Sequence, residues 1–244
     1  MPLFAELGRL AVELERALLP PACLLCDAAI PKSEGDALVC ALCRSRWRSV
    51  PAPLCARCGA PIPPEASCRD CESWPAAVGR VRSAVWLDES ARRAVHLLKY
   101  DGWWRLADAM ALPMRALEPV AEDAILVPVP LGARRLAQRG YNQAGRLAEA
   151  LGHVSGCAVG GDALARTRET ATQTALTPEA RSANVSGAFA ARRRIEGRVL
   201  VVDDVFTTGA TIIAAATALL AAGAGQVDAV TFARARPPGA ALAP

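Results

Sequence analysis

Four copies of one short cysteine pattern lie in the first third of the chain, and they constrain its fold more than any other feature. Each copy has two cysteines separated by two residues. The four pairs are Cys23/Cys26, Cys40/Cys43, Cys55/Cys58 and Cys68/Cys71. Two cysteines at this spacing can form a tight turn that directs both thiolates at one ion, and two such turns complete a tetrahedral zinc site. The eight cysteines therefore predict two structural zinc ions with sulfur at every ligand position.

The spacing leaves open how the four pairs share the two ions. Sequential pairing would give one zinc ion the first two pairs and the other ion the last two, whereas an interleaved scheme would use the same residues. Disulfides are disfavoured because the N-terminal segment does not have the pattern of an export signal, and a reducing cytoplasm keeps thiols free. A redox dithiol or an iron–sulfur site is a minority alternative. Cys157, far downstream, is expected to be a small buried residue.

Composition divides the chain into four parts. Leucines recur at helical spacing in residues 1–20, which predicts an amphipathic N-terminal helix, and residues 21–75 form the predicted double zinc ribbon. Residues 76–235 alternate between apolar runs and helical patterns, and residues 236–244 are expected to form a flexible tail. The longest apolar run, 212–222, is too short to span a bilayer, so we expect a cytoplasmic protein without a membrane span.

The overall charge does not indicate a nucleic-acid partner, although one local cluster is basic. The chain has 28 basic and 24 acidic residues, and its 52% hydrophobic content excludes a largely disordered chain. Near the second and third cysteine pairs, arginines flank Trp47 in a pattern that would suit a basic face with one stacking ring. These arginines are Arg44, Arg46, Arg48 and Arg57. Because acidic residues slightly outnumber basic ones over residues 1–75, a solvated surface is the favoured interpretation.

The rest of the chain predicts an α/β domain with a mainly parallel sheet and flanking helices. Residues 199–202 form a continuous β-branched and apolar run, which is typical of a parallel strand buried on both faces. The predicted strands are 81–87, 125–129, 199–202 and 227–232, and the predicted helices are 89–100, 142–151 and 210–222.

The buried run at 199–202 leads into the most informative motif of the chain. Two adjacent carboxylates, Asp203 and Asp204, follow the run, and a small-residue turn at 207–211 then opens a helix. Backbone amides at a helix start make an anion site, three threonine hydroxyls add donors, and Gly209 lets a phosphate approach the backbone. A helix cap needs only one such residue. The motif therefore favours a phosphate site whose acids accept hydrogen bonds from a sugar or hold Mg²⁺.

Residues 199–211 resemble at every position the signature of type I phosphoribosyltransferases, which bind 5-phosphoribosyl-1-pyrophosphate (PRPP). Further segments resemble the ComF (competence protein F) family, and the four cysteine pairs resemble that family's double zinc ribbon. These segments are 98–102 (LKYDG), 127–130 (VPVP), 134–144 (RRLAQRGYNQA) and 166–189. The resemblance implies a type I phosphoribosyltransferase-like sheet with flanking helices, preceded by a small cysteine-rich double zinc ribbon.

The resemblance also implies roles for individual residues. The two acids would engage ribose hydroxyls, the turn 207–211 would hold the 5-phosphate, the loop 130–140 would bind pyrophosphate, and the stretch 167–187 would close over substrate. The implied catalytic residues are Asp203, Asp204, Arg181 and Lys99, with Arg181 preferred to Arg168 as the loop cation. The implied PRPP ligands are Asp203, Asp204, Thr207, Thr208, Gly209, Ala210 and Thr211, and the implied pyrophosphate-loop residues are Arg134, Arg135, Arg139 and Gly140.

Two functions follow from this resemblance. The first is an enzyme that transfers or hydrolyses the phosphoribosyl group with Mg²⁺, linked to DNA uptake (competence) or nucleotide metabolism. The second is a non-catalytic accessory factor in DNA uptake or processing. Such a factor would use PRPP as a ligand and would bind single-stranded DNA or a helicase-like competence protein through its zinc ribbon. The intact acid pair favours PRPP binding, whereas no residue pattern specifies the acceptor.

Overall fold

The structure of the protein is a computed structural model, and it describes residues 21–35, 37–63, 65–168 and 187–236. The predicted helix at 1–20, most of the predicted closing loop at 167–187 and the tail beyond residue 236 lie outside the described residues. The chain forms two compact units, Met1–Trp47 and Arg48–Pro244. This division falls between the second and third cysteine pairs, whereas the change in composition falls near residue 76. The domain boundaries drawn from composition stay predictions.

The described part of the first unit is built around its four cysteines. It contains a 3₁₀ turn, Lys32–Glu34, and one short helix, α1 (Ala41–Ser45). Cys23 and Val39 are fully buried, and Cys43 is nearly so. Because a segment this short buries few large apolar side chains, a bound metal must supply much of its folding free energy.

The second unit contains a five-stranded parallel sheet, which confirms the predicted α/β fold class. Its strands lie in the order β1-β7-β6-β2-β3, and every neighbouring pair is parallel. A separate antiparallel pair joins β4 and β5. The strands are β1 (Val78–Trp86), β2 (Ile125–Pro128), β3 (Ala158–Val159), β4 (Leu164–Arg166), β5 (Phe189–Ala191), β6 (Arg198–Phe206) and β7 (Gln226–Arg234).

Helices connect these strands. They are α2 (Glu89–Tyr100), α3 (Leu106–Arg115), α4 (Ala133–Arg139), α5 (Gln143–Ser155) and α6 (Ala210–Ala221). The Asp88 side chain accepts a hydrogen bond from the third residue of its helix and so caps α2, and the Asn142 side chain caps α5. The predicted helices at 89–100, 142–151 and 210–222 correspond to α2, α5 and α6, whereas α3 and α4 were not predicted.

β6 is longer than the sequence predicts. The predicted strand stops at Val202, where the apolar run ends, yet pairing with β7 continues as far as Phe206 opposite Arg234. On its other side, β6 pairs with β2 up to Val202 opposite Pro128. Asp203 and Asp204 therefore belong to the strand, because backbone pairing with β7 outlasts the apolar sequence.

The hydrophobic core of the second unit combines strand, helix and cysteine residues. Val199 and Val201 of β6 share one buried cluster with Ile212 and Leu219 of α6. The same cluster contains ribbon residues, namely Cys55, Cys58, Cys71 and Trp74. In the part of the chain that the structure describes, no helix is both long and apolar enough to cross a bilayer.

Candidate functional site

A cleft of about 430 Å³ lies at the C-terminal ends of β2 and β6, where each strand leads into the next segment of the chain. Pro130, after β2, and Thr211, in the first turn of α6, both line it. Lys99 at the end of α2 and the α4 residues Arg135 and Arg139 line the same cleft. The carboxyl ends of parallel strands are where α/β sheets bind their ligands. Four predicted site residues from three segments of the chain therefore meet at this edge of the sheet.

Lys99 lies beside Asp204, 105 residues later in the chain. The Lys99 ammonium forms an ion pair with Asp204 Oδ2, and Gln143 Nε2 donates a hydrogen bond to Asp204 Oδ1 at 3.1 Å. The Asp204 residue is only 2% exposed. Burial alone would raise the pKa of Asp204, but the charge and hydrogen bond of Lys99 outweigh it and leave that pKa lowered. Burial likewise opposes the charge on Lys99, and Asp204 nevertheless raises the Lys99 pKa, so both groups are charged at neutral pH.

Asp203 lies in different surroundings from its neighbour. Its side chain is half-buried, and its Oδ1 accepts a hydrogen bond from the backbone N–H of Asp204 at 2.9 Å. Burial and then the negative charge of Asp204 raise the pKa of Asp203 well above its ordinary value. The pair therefore combines one carboxylate fixed by an ion pair with Lys99 and one that gives up its proton less readily, because burial and the Asp204 charge outweigh the attraction of Lys99.

The turn at 207–211 leads directly into α6. Gly209 has a φ of +81° and forms the N-cap of the helix, and its carbonyl accepts a hydrogen bond from the N–H of Ile213 at 2.9 Å. A Cβ atom on Gly209 would lie 2.8 Å from Trp74 Cζ2 and 3.0 Å from Phe206 Cε2. Thr207 is exposed and Thr208 half-buried. Glycine is thus needed here for the backbone conformation and for close packing beneath the turn, reasons additional to the predicted approach of a phosphate.

The predicted pyrophosphate loop is partly helical. Residues 133–139 form α4, which ends at Gly140 with a φ of +80°. Arg135 and Arg139 line the cleft, while Arg134 is exposed on the same helix. The Arg139 guanidinium lies over the Tyr100 ring, 5.3 Å from its centroid, and donates a hydrogen bond to Gln143. One end of α4 is therefore tied to the residues around Lys99.

Gln143 also lines the cleft, and no role for it was predicted from the sequence. It is 6% exposed and lies in the first turn of α5, on the stripe that also carries Leu147 and Leu151. A polar side chain at a buried position of a helix usually has a specific hydrogen-bond partner. The polar residue at an apolar position of the helix is visible in the sequence, but this position alone does not identify Asp204 as its hydrogen-bond partner.

The cysteines form two four-sulfur clusters with sequential pairing. Site A is defined as Cys23, Cys26, Cys40 and Cys43, and site B as Cys55, Cys58, Cys68 and Cys71. Within each site all four sulfur atoms lie within 4.8 Å of one another. The Cys26–Cys40 and Cys55–Cys71 sulfurs are 3.8 Å and 3.6 Å apart. A tetrahedral zinc site with Zn–S bonds near 2.3 Å has edges of about 3.8 Å, so both clusters fit zinc. Of the two pairing schemes that the sequence left open, the structure has the sequential one.

One thiol in each site already favours the charged form that binds metal. Burial raises the pKa of Cys23, but hydrogen bonds from backbone amides, chiefly that of Cys40, outweigh burial and lower this pKa to about 7. Cys55 of site B behaves in the same way, with backbone donors at Cys58 and Arg57 and a pKa of about 7. Thiolates are the form in which cysteine binds zinc.

Other predicted residues have different outcomes. Arg181 lies outside the described residues, so its role in catalysis stays a prediction, and Arg168 is exposed at the edge of the same segment. Trp47 is 8% exposed, so its ring is not available for the stacking surface that was the less favoured interpretation of this cluster. Arg44 is engaged in an ion pair with Glu34, 3.2 Å between Nη2 and Oε2.

Two family models match the sequence. The double zinc ribbon domain matches residues 14–72, which include all eight paired cysteines. The phosphoribosyl transferase domain matches residues 135–241, which include three cleft arginines (Arg135, Arg139 and Arg166), the acid pair and the turn at 207–211. The two matches therefore cover both cysteine clusters and most of the cleft.

Curated relatives match over nearly the whole chain. The DNA utilization protein YhgH of Salmonella typhimurium is 32% identical over 219 residues, 86% of this chain and 95% of the relative. YhgH of Escherichia coli strain K12 is 31% identical over the same shares. The competence protein ComFC of Bacillus subtilis is 28% identical over 232 residues, 87% of this chain and 94% of the relative. Among solved structures, orotate phosphoribosyltransferase from Aeropyrum pernix is 22% identical, with a TM-score of 0.32 over 62% of this chain and 68% of that chain.

Proposed function

The chain belongs to the ComF family, whose members join a double zinc ribbon to a phosphoribosyltransferase domain, and on this basis we propose that it binds PRPP and acts on it with Mg²⁺. One observation carries the proposal. Lys99, Arg135, Arg139 and Thr211, from three segments of the chain, line a single cleft at the carboxyl end of the sheet. Their charges suit a ligand that carries a phosphate at one end and a pyrophosphate at the other.

The cleft suggests an orientation for the sugar. The 5-phosphate binds at the turn 207–211, and the pyrophosphate binds beside Arg135 and Arg139. Asp203, which is half-buried, accepts hydrogen bonds from ribose hydroxyls. Asp204 holds Lys99 at the cleft, and it engages the sugar itself only when Lys99 or Gln143 gives up its present contact.

The residues fit a Mg²⁺ ion that arrives with the substrate. Mg²⁺ in such sites takes one or two carboxylates and completes its shell with substrate phosphates and water. Asp203 offers such a carboxylate next to Asp204, which is paired with the cleft residue Lys99. When bound, Mg²⁺ would neutralise charge on the pyrophosphate. Lys99, Arg135 and Arg139 stabilise the same negative charge as it develops while the bond between ribose C1 and pyrophosphate breaks.

Calorimetric titration with PRPP, with and without Mg²⁺, tests the binding proposal. The double variant Arg135→Gln/Arg139→Gln is expected to bind PRPP about 10–100-fold more weakly, because it loses charge-assisted hydrogen bonds to the pyrophosphate. Ribose 5-phosphate lacks the pyrophosphate, so its affinity for this variant should equal its affinity for the wild-type protein. Arg115→Gln, at the exposed end of α3, is the matched control. Failure of the wild-type protein to bind PRPP at any Mg²⁺ concentration would refute the proposal.

Product analysis of the same mixtures distinguishes turnover from binding. Release of pyrophosphate by the wild-type protein, lost in Asp203→Asn, supports an enzyme. Tight binding with no product across a panel of bases, amines and water supports an accessory factor that uses PRPP as a ligand.

A contact between the ribbon and single-stranded DNA or a helicase-like protein is a second proposed function, favoured by the relatives named for DNA utilization and competence. Arg46 and Arg48 are both exposed. Because phosphate contacts release counterions, DNA binding through these arginines should weaken as salt rises. The double variant Arg46→Gln/Arg48→Gln should lower DNA affinity and flatten that salt dependence while PRPP binding is unchanged. Absence of DNA binding at low salt would exclude the DNA contact.

We also propose a cytoplasmic location for the protein. All nine cysteines are free thiols in the structure, and a reducing compartment keeps such thiols available to zinc. Fractionation of cells that express the full chain, with soluble and membrane markers, tests this location.

A further inference from the structure

A buried arginine connects site B with the end of the β6 strand. Arg234 is the last residue of β7 and is 4% exposed. Its Nη1 donates a hydrogen bond to the Cys58 carbonyl oxygen at 2.7 Å, and its Nη2 lies 4.0 Å from Cys58 Sγ. Nη2 also lies 3.6 Å from Asp70 Oδ2, on a side chain that is 56% exposed. A buried guanidinium needs a counter-charge, and site B lies within contact distance.

The same guanidinium packs against the strand that carries the acid pair. Arg234 Cζ lies 4.3 Å from the centroid of the Phe206 ring, and Phe206, the last residue of β6, is 2% exposed. Trp74 packs on the same ring, with 6.1 Å between centroids. The backbone N–H of Trp74 donates a hydrogen bond to the carbonyl of Cys71, a site B ligand, at 3.2 Å. Two side chains therefore reach from site B to Phe206.

The turn at 207–211, which is the phosphate turn of the proposed function, packs directly on these two aromatic rings. A Cβ atom on Gly209 would overlap Trp74 Cζ2 at 2.8 Å and approach Phe206 Cε2 to 3.0 Å. Because this packing has no spare space, a displacement of either ring must move the backbone of the turn.

Site B is itself fixed to the sheet. The guanidinium of Arg82, on β1, donates hydrogen bonds to the carbonyl oxygens of Cys55, Ala56 and Arg57. The backbone N–H of Val81 donates to the Arg57 carbonyl at 2.7 Å. The first turn of site B is therefore held at one end by β1, while its second turn leads to Trp74.

Zinc in site B would supply the charge that Arg234 requires. Four thiolates around one zinc ion carry a net charge of about −2 and hold the two cysteine turns in one geometry. Loss of the metal removes this fixed counter-charge and lets the sulfur atoms separate. The contacts of Arg234 and Trp74 would then no longer hold Phe206 and the turn at 207–211 in place.

We propose that Arg234 and Trp74 are positioning residues that make the phosphate turn depend on zinc in site B. Binding of a phosphorylated sugar therefore requires site B to be filled, whereas site A is not required. The ligand named here rests on the proposed function, but the coupling between site B and the turn does not.

Two matched cysteine variants test the coupling. Cys26→Ser removes the most exposed ligand of site A, and Cys68→Ser removes the most exposed ligand of site B. Each is expected to lower the zinc content, measured by mass spectrometry of the intact chain, from two ions to one. Cys68→Ser should weaken PRPP binding at least about tenfold, as loss of supporting contacts around a metal site does, while Cys26→Ser should bind as wild type does. Equal PRPP affinity in the two variants would overturn the proposal.

Arg234 variants test the route of the coupling. Arg234→Met should retain both zinc ions and weaken PRPP binding about tenfold, and Arg234→Lys should recover part of the loss because it keeps the charge without the planar fork. Asp70→Asn removes only the exposed partner of Arg234 and should bind PRPP as wild type does. Wild-type affinity in Arg234→Met would overturn the role of this residue.

Hydrogen exchange at residues 207–211 separates this proposal from the proposed function, because it needs no ligand. Cys68→Ser should speed amide exchange in the turn by a larger factor than in β2 and α5, and Cys26→Ser should not. This result supports the coupling even if PRPP fails to bind to the wild-type protein. An equal acceleration in the turn, β2 and α5, or no change in the turn, would overturn it.

Discussion

Asp203 and Asp204 are neighbours in the chain, yet their carboxylates lie in opposite electrostatic surroundings. Asp204 is buried beside Lys99 and Gln143, and its pKa is lowered. Burial and the negative charge of Asp204 both disfavour the ionised form of Asp203, and its pKa is therefore raised. Successive side chains of a strand point to opposite faces of the sheet, so two adjacent acids can have different surroundings and different pKa values. One acid is paired with the cleft lysine, and the other is the acid that we propose as the ligand for sugar hydroxyls.

Lys99→Met should destabilise the protein in a pH-dependent way. The lowered pKa of Asp204 means that the wild-type ion pair stabilises the fold above the ordinary carboxyl pKa, and that this contribution is lost as pH falls through the lowered value. Without Lys99, burial raises the Asp204 pKa, and the variant loses stability as pH rises. We expect a cost of about 2–4 kcal/mol at pH 8 and a much smaller cost near pH 4.

Urea unfolding at the two pH values measures this cost. Lys99→Arg keeps the charge and should lose much less at pH 8. A Lys99→Met variant with the same loss at both pH values would show that packing, and not the ion pair, is the main contribution of Lys99.

Asp203→Asn should stabilise the fold while it weakens sugar binding. A raised folded pKa means that the wild-type carboxyl favours the folded state below its ordinary pKa and loses this advantage as pH rises through the raised value. Asparagine keeps the Oδ1 acceptor for the Asp204 N–H and removes the charge. We expect a gain of about 1 kcal/mol at pH 8 that shrinks toward pH 4. Thermal denaturation measures it, and a loss of stability at pH 8 would contradict the prediction.

The sequence identified the chemical components of the site but not their contacts. The motif at 199–211 singled out both acids and the turn, and the resemblance added Lys99 and the arginines of α4. The ion pair between Lys99 and Asp204 joins residues 105 positions apart, so local pattern carries no signal for it. Gln143 went unassigned for the same reason, because its partner is distant in the chain.

At the scale of secondary structure, the junction between β6 and α6 is the most constrained part of the fold. β6 ends at Phe206 beside β7, and α6 begins one residue after Gly209. The connecting turn therefore has to reverse direction within a few residues while it packs on Phe206 and Trp74. A positive φ and the absence of a side chain at Gly209 meet both requirements.

Gly209→Ala should cost about 2–5 kcal/mol, because it combines a strained positive φ with overlap against two aromatic rings. Gly197→Ala is the matched control, since Gly197 has a φ of +84° and a Cβ there would meet no atom within 4 Å. The control should lose only about 1–2 kcal/mol from the backbone strain. Chemical denaturation of the two variants measures the difference, and equal losses would mean that the packing beneath the turn contributes nothing.

Helices and strands with a strong apolar pattern were predictable, and their ends were less so. The buried run at 199–202 predicted β6, but its extension to Phe206 depends on pairing with β7, which no local pattern encodes. α4 was missed because its seven residues include three arginines and no buried side chain, so the apolar spacing that marks a helix is absent. α3 was likewise missed, and it carries Pro113 within its span.

At the scale of the whole molecule, the two cysteine sites occupy different structural contexts. Site A lies in the unit Met1–Trp47, whereas site B lies in the unit Arg48–Pro244 and shares a hydrophobic cluster with β6 and α6. Four cysteine pairs of identical spacing predicted two four-cysteine zinc sites, and that prediction is confirmed. The spacing of the cysteine pairs could not predict the different surroundings of the two sites. Spacing indicates which residues bind an ion, but it does not indicate which residues pack around them.

Chelation of zinc should therefore destabilise the sheet through site B. We expect removal of both ions to lower the thermal midpoint of the helical circular dichroism signal by at least about 10 °C. Chelation should lower the thermal midpoint of Cys26→Ser, which keeps site B, nearly as much as it lowers that of the wild-type protein. Chelation should change the midpoint of Cys68→Ser little, because that variant has already lost the site B zinc. An unaltered midpoint after complete zinc removal would contradict this prediction.

The shared interior of site B and the sheet also determines where the protein can be cut. Composition alone would place the cut at residue 76, but that cut removes Trp74 and all of site B and leaves Phe206 uncovered. We expect a fragment of residues 76–236 to aggregate on expression and a fragment of residues 48–236 to be recovered with one zinc ion. The smallest separable piece of this protein therefore carries half of its ribbon with it.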